Sequence, residues 1–314
     1  MKKILYVITI FLILGNYQNL CAQTNNIKIT YVRNPDKSID FSFTKELPGS
    51  YFIKLEFPTL ENCYQSTVKK VVENSSGNLI KLRPINDQNH IVFSYKYSSI
   101  RGKPNPKIDK DFNYVLPFKV GETVKIIEAI SLKEKYFNAE KSTNWKSFIV
   151  DRNSADTICN MRKGIVIEII NKFETDSLDM YRYTSSMNKI LVEHSDGTVA
   201  YYTGFNKNSI FVKLGQTVYP NTKLGTLSIF NNAIYRLYFS VSYLKDASLN
   251  TGEERTLKSD SRLEHVNPYF YSSNGPILLQ HNNEYLVEMD ENTRFKEFTK
   301  RERKKFKKDA QAFY

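Results

Sequence analysis

The sequence predicts an all-β fold, an N-terminal β-sandwich followed by a second β domain, with a short helix at the C-terminal end. Three features carry this expectation. Apolar and polar residues alternate with period two through most of the chain. Clusters of Gly, Pro, Asn, Asp and Ser separate these runs at short intervals. A helical period emerges only after Met289. With 314 residues and 41% apolar content, two hydrophobic cores are within reach.

The first 22 residues read as a signal peptide. Met1-Lys2-Lys3 precedes an apolar run from Ile4 to Leu14, which is short of the roughly 20 residues that span a bilayer. The small residue Ala22 marks the expected cleavage site. Anchoring through Cys21 is disfavoured by the bulk of Leu20. The expectation is an exported protein, periplasmic or extracellular. Removing Lys2 and Lys3 lowers the formal charge from +12 to +10. A basic exported chain suits anionic partners such as lipid headgroups or wall polymers. Nucleic acid is not expected, because no nucleic-acid motif is present. Cys63 and Cys159 are too few for a disulfide framework and are expected as free thiols, with a bridge across two domains as the alternative.

Residues 23–131 read as the sandwich. Ile39, Phe41 and Phe43 alternate with Asp40, Ser42 and Thr44, and the same pattern recurs at Ile53 to Phe57, Ile80 to Leu82 and Ile91 to Tyr97. Leu47-Pro48-Gly49-Ser50 and Asn74-Ser75-Ser76-Gly77-Asn78 supply turns between them. No catalytic constellation is visible there, so structural packing is preferred over a binding or spacer role.

Residues 132–144 are polar and read as a linker. The domain that follows, 145–288, is organised around Asn188 to Leu227. Ile190 and Val192 alternate with Leu191 and Glu193, Ser195-Asp196-Gly197-Thr198 turns the chain, and Val199 to Thr203 returns. Gly215-Gln216-Thr217-Val218 then leads through Pro220-Asn221-Thr222 into Lys223 to Leu227. In order and spacing, EHSDGT, YYTGF and VKLGQTVYPNTKLGT resemble the LytM/lysostaphin-type zinc peptidases, which cut the peptide bridges of bacterial cell walls. Met161 to Val166 resembles their R-x-G-x-V stretch, and Leu237, Phe239 and Val241 fall on their H-L-H-F-E-V strand. The resemblance covers about Trp145 to Val241.

It implies a LytM-like β domain, and it also implies where the metal ligands would stand. In the family, zinc is held by His and Asp of H-x-x-x-D and by the second His of H-x-H, which leaves one position for water. Here Asp151 matches the Asp, while Ser147 stands at the first His. Arg236 and Tyr238 occupy the H-x-H positions, and Gly204 replaces the histidine of Y-A-H-L. The chain has four histidines, His90, His194, His265 and His281, and no H-x-H. His194 is read as a polar strand-end residue rather than a catalytic one. No cofactor is expected.

The expected function is therefore a non-catalytic envelope protein that binds peptidoglycan or a partner hydrolase through a remnant groove. Tyr201, Tyr202 and Tyr235 are candidate groove residues beside Arg236 and Tyr238. The alternatives are an active wall zinc peptidase with an altered site and an envelope adhesin or scaffold. Without a metal, Asp151 is expected to pair with Arg236, with Ser147 or Tyr238 hydroxyls completing its hydrogen bonds.

The remaining chain reads as a loop at Asp246 to Arg262, strands from His265 to Tyr285, and a basic helix over 289–314. Phe295, Phe298, Phe306 and Phe313 keep one helical face, and Lys300 to Lys308 carries seven basic residues and one acid. A solvated helix that rests its Phe stripe on the domain is preferred over docking on an anionic envelope surface.

Overall fold

Period-two alternation in the first hundred residues builds two facing sheets. The computed structural model describes residues 26–129, 146–174, 186–231, 234–246 and 262–314. The expected signal peptide, the linker and most of the 246–262 loop lie outside the described residues. Strands β1 (Ile27–Arg33), β2 (Ile39–Lys45), β3 (Tyr51–Glu61), β4 (Thr67–Val72), β5 (Ser76–Leu82) and β6 (Val92–Arg101) form antiparallel sheets ordered β1-β2-β5 and β4-β3-β6. Ile39, Phe41 and Phe43 of one sheet bury against Tyr51, Ile53 and Leu55 of the other, the layer packing of a β-sandwich. Phe41 sits among Phe57, Phe93 and Tyr95, with ring centroids 5.3–5.4 Å apart, in edge-on contacts that add to burial.

The sandwich ends near Arg101, which corrects the expected boundary at residue 131. Phe112, Tyr114, Val115, Leu116, Phe118, Val124 and Ile126 all pack into the second core. Their short strands β7 (Asn113–Tyr114), β8 (Thr123–Lys125) and β9 (Ile127–Glu128) pair only with partners in the second domain. An apolar run buried on every side carries no alternation, so the sequence gives no sign of which core it joins.

The second domain is built from β10 (Phe148–Arg152), β11 (Thr157–Cys159), β12 (Gly164–Ile170), β13 (Asn188–Glu193), β14 (Val199–Ile210), β15 (Thr217–Val218), β16 (Lys223–Leu227), β17 (Ile229–Asn231), β18 (Ile234–Leu244) and β19 (Leu263–His265). The path of its main sheet is β15-β12-β13-β14-β18-β10-β9. Val150, Val166, Ile190, Val192, Ala200, Tyr202, Leu237, Phe239 and Val241 point to the core. Ile165 is 42% exposed, because β12 has a solvent face. The expected Asp196-Gly197 hairpin is formed, with Gly197 at φ 88° and its N–H donating to His194 O. Two further strands, β20 (Tyr269–Phe270) and β21 (Ile277–Leu278), make a hairpin beside β7, and β22 (Glu284–Leu286) pairs with β8.

The outer face of β12–β14 carries a satellite cluster of Ile167, Leu191 and Val199 with Tyr201 packed against it. The sandwich docks here. Gly49, at φ +90°, approaches so closely that an added Cβ would lie 2.6 Å from Ile167 Cγ2. Arg101 Nη1 donates to Glu168 Oε2 at 2.5 Å, and Ser50 N–H donates to Glu193 Oε2 at 2.7 Å.

The C-terminal segment is two helices rather than the single one expected. α1 (Glu291–Phe295) is capped by Asp290, and α2 (Lys300–Lys308) by a Thr299–Glu302 capping box. The extended backbone at Thr299 begins a second helix and so interrupts the first. Phe298 and Phe313 each lie 4.7 Å from the Tyr219 ring, and Tyr219 Oη donates to Glu302 at 2.9 Å.

A single buried guanidinium ties this tail to the domain. Arg162 is 2% exposed. It donates to Asp196 at 2.8 Å, to Glu297 at 2.8 and 3.1 Å and to Tyr114 Oη at 3.2 Å, and it lies 3.7 Å from the centre of the Phe112 ring. Burial raises the Asp196 pKa, but the Arg162 charge and hydrogen bonds from Thr198 and Arg162 outweigh it and bring it down to about 2. Its ordinary value is 3.8, so its stabilisation is complete above about pH 4 and is lost as pH falls through about 2, worth roughly 2 kcal/mol. Urea titrations over that pH range should show this slope, and Asp196→Asn should remove it. Arg162→Met leaves two carboxylates without their cation and should cost about 3–5 kcal/mol, measured by the same titrations at neutral pH.

Candidate functional site

Strands β10 and β18 are antiparallel neighbours, with Asp151 opposite Arg236 and Ile149 opposite Tyr238. Since Val150 and Leu237 face the core, Asp151 and Arg236 both project from the outer face. Arg236 Nε reaches Asp151 Oδ1 at 2.5 Å, and Nη2 reaches Oδ2 at 2.7 Å. This two-pronged match of fork to carboxylate is the pairing expected from the sequence. The Phe230 ring on β17 lies 4.3 Å from the guanidinium carbon, and the Tyr238 ring 5.9 Å from it. The hydrogen bond to Asp151 holds the Arg236 pKa above its ordinary value, against the pull of burial. At 22% and 29% side-chain exposure, both partners stay in touch with solvent.

The other predicted residues separate. Ser147 Oγ donates weakly to Phe239 O at 3.5 Å rather than to Asp151, because it stands just before β10, four residues from Asp151 and so roughly 13 Å away along an extended strand. Tyr202 is not a groove residue. It is 0% exposed, facing the core by alternation, where its hydroxyl accepts from Met161 N–H at 2.9 Å and donates to Asn160 Oδ1 at 3.0 Å. Tyr235 packs part-buried against the same core. Tyr201 is on the outer face, but it packs in the satellite cluster under the sandwich. Gly204 takes φ +117°, and an added Cβ would fall 2.1 Å from Arg236 O. The position is reserved for close backbone approach.

Asp151, Arg236 and Tyr238 therefore converge, and Phe230 joins them. Phe230 escaped the sequence reading because a lone aromatic after a turn carries no periodic signal. The aromatic-rich run Phe230 to Tyr238 was its only hint.

These residues do not fit the zinc site that the resemblance implies. A dication on Asp151 would have to displace a guanidinium already held on both oxygens, and it would meet permanent positive charge beside it. The histidines are dispersed. His90 is exposed, and His281 Nδ1 accepts from Glu128 N–H at 3.1 Å. His265 Nδ1 lies 3.0 Å from Lys146 O, and His194 is buried with its ring 5.7 Å from that of Tyr114. Among the described residues, no three His, Cys, Asp or Glu side chains gather as a metal group. Cys63 and Cys159 are both free, and burial pushes the Cys159 thiol up to about 12, where it is inert at neutral pH.

Because the Asp151–Arg236 pair is half-solvated and doubly hydrogen-bonded, Arg236→Ala should destabilise the domain by about 1–2 kcal/mol. Arg236→Lys, which keeps the charge but not the fork, should recover only part of this. Thermal and urea unfolding of the three proteins measure both.

No protein-family model matches the chain, and no curated protein sequence matches it either. Among solved structures it is similar to a zinc-containing peptidase from Vibrio cholerae, at 14% identity over 69% of this chain and 75% of that one, with a TM-score of 0.30. It is also similar to a putative M23 peptidase from Pseudomonas aeruginosa, at 15% identity over 60% of this chain and 82% of that one, with a TM-score of 0.25. Superpositions this loose carry no argument about the chemistry of this site, which rests on the residues themselves.

Proposed function

We propose that this chain is a non-catalytic, exported envelope protein whose LytM-like domain binds rather than cuts. Its ligand is peptidoglycan or a partner wall hydrolase, taken up on the outer sheet face around Asp151, Arg236, Phe230 and Tyr238. The observation that carries the reading is the Asp151–Arg236 fork set against Phe230. A carboxylate matching the family's ligand Asp is neutralised by a guanidinium instead of a metal. The result is a surface of charge-paired and aromatic groups, which suits contact with peptide backbone and sugar faces more than activation of water. The net positive charge of the chain supports association with an anionic wall, and the exposed basic residues of α2 offer a second contact with an anionic envelope surface.

The purified mature protein is expected to contain no stoichiometric zinc and to release no peptides from isolated walls. One zinc per chain together with chelator-sensitive turnover would overturn the reading. The protein should co-sediment with isolated peptidoglycan or with a wall hydrolase. The double variant Arg236→Ala/Tyr238→Ala should lose that binding while keeping a cooperative unfolding transition. Retained binding by a folded double variant would place the ligand elsewhere.

A further inference from the structure

The two sides of the sandwich are finished differently. On one side β4 and β5 are the edges of the two layers. Lys70 of β4 reaches across and donates to the Asn78 carbonyl of β5 at 2.7 Å, and β5 shifts register against β2 after Phe41. Lysines and irregular pairing of this kind keep an edge from templating another strand. On the other side stand β1 and β6. β1 is seven residues long without proline, pairs with β2 in an unbroken register, and has β2 as its single strand neighbour among the described residues.

Two hydrogen bonds fix which backbone groups of β1 face the open edge. Glu46 N–H donates to Asn26 O at 3.3 Å and extends the ladder with β2, so Lys28, Thr30 and Val32 also turn their backbone groups toward β2. Ile27 O lies on the other side, where it accepts from Tyr97 Oη of β6 at 2.9 Å. By alternation, Ile29, Tyr31 and Arg33 direct their N–H and C=O to the open edge.

The same edge carries exposed apolar surface. Val32 is 62% exposed and Tyr31 44%, and the Tyr31 ring stands edge-on to Phe93 of β6 with centroids 5.1 Å apart. Val92, which opens β6, is exposed as well. β1 has no acidic residue, and its cations are Lys28 and Arg33.

This strand is complementary to itself. Antiparallel pairing centred on Thr30 sets Ile29 opposite Tyr31 and Ile27 opposite Arg33 as hydrogen-bonded pairs, using the groups that face the edge. Lys28 then falls opposite Val32, so an apolar lysine stem covers the valine and no cation meets another. A two-fold axis through the Thr30 pair, perpendicular to the sheet, keeps both inner faces on one side, so the second layer continues too, with β6 beside β6. We propose that two copies of this chain associate through β1 in this register, joining their sandwiches into one. The contact uses only the sandwich and does not depend on the role of the Asp151–Arg236 face.

Sedimentation velocity of the full chain over a concentration series is expected to show a monomer–dimer equilibrium. Val32→Lys sets cations opposite each other twice across the axis and should weaken the dimer by about tenfold. Val32→Glu, opposite Lys28, should hold it more tightly than Val32→Lys does. The Val32 side chain is exposed, so both variants should keep the thermal unfolding of the parent. The Thr30 pair is of the non-hydrogen-bonded kind, with Cα atoms about 4.5 Å apart, within reach of a disulfide. With the free thiol of Cys63 removed as Cys63→Ser, Thr30→Cys should cross-link into a dimer on mild oxidation. Lys28→Cys, about 13 Å from its own copy along the strand, should not. A monomer at every concentration, equal dimerisation of Val32→Lys and Val32→Glu, or equal cross-linking of the two cysteine variants would each overturn the proposal.

Discussion

One buried guanidinium sets the conditions for much of this molecule. Arg162 reaches a residue before the main sheet (Tyr114), the central hairpin (Asp196) and the C-terminal tail (Glu297), segments far apart in sequence. A buried charge with five donors tolerates no partial arrangement, so these three segments must arrive together. The tail then lays Phe298 and Phe313 on Tyr219. The same tail supplies Glu297 and Glu302 to a cavity at the domain junction, whose opposite wall belongs to the sandwich. Loss of the guanidinium would thus be felt at both ends of the chain.

The outer face of the sheet divides into two regions with opposite electrostatic solutions. Around Asp151 the carboxylate is satisfied within the protein by Arg236, with Phe230 screening one side. Around Glu193 the carboxylate is satisfied only halfway, by a backbone N–H from the other domain. A completed ion pair needs no further partner. A half-completed one leaves a buried oxygen unpaired, which costs stability.

The legible and illegible parts of this fold separate along physical lines. Half-buried strands such as Ile39 to Lys45 and Leu237 to Val241 announce themselves, because one face is wet and alternation follows. The Asp196-Gly197 turn was legible because a positive φ demands glycine. The Asp151–Arg236 pair was legible because the resemblance set a carboxylate and a guanidinium on neighbouring strands. Tyr114 to Phe118 was not, since a run buried on all sides has no period. Tyr202 was misjudged because a one-residue choice of face separates groove from core. Glu193 and His194 stood in a quoted motif, yet their environment depends on Ser50 and Arg162, which local sequence cannot place beside them.

Gly204 limits how this sheet can change by substitution. The first carbon of any side chain there would collide with the carbonyl of Arg236. An imidazole therefore cannot be introduced at that position by one substitution without first moving a neighbouring strand. Each intermediate on such a path would carry a strained backbone before gaining any new chemistry. The position is thereby held as glycine for as long as β14 and β18 keep this approach.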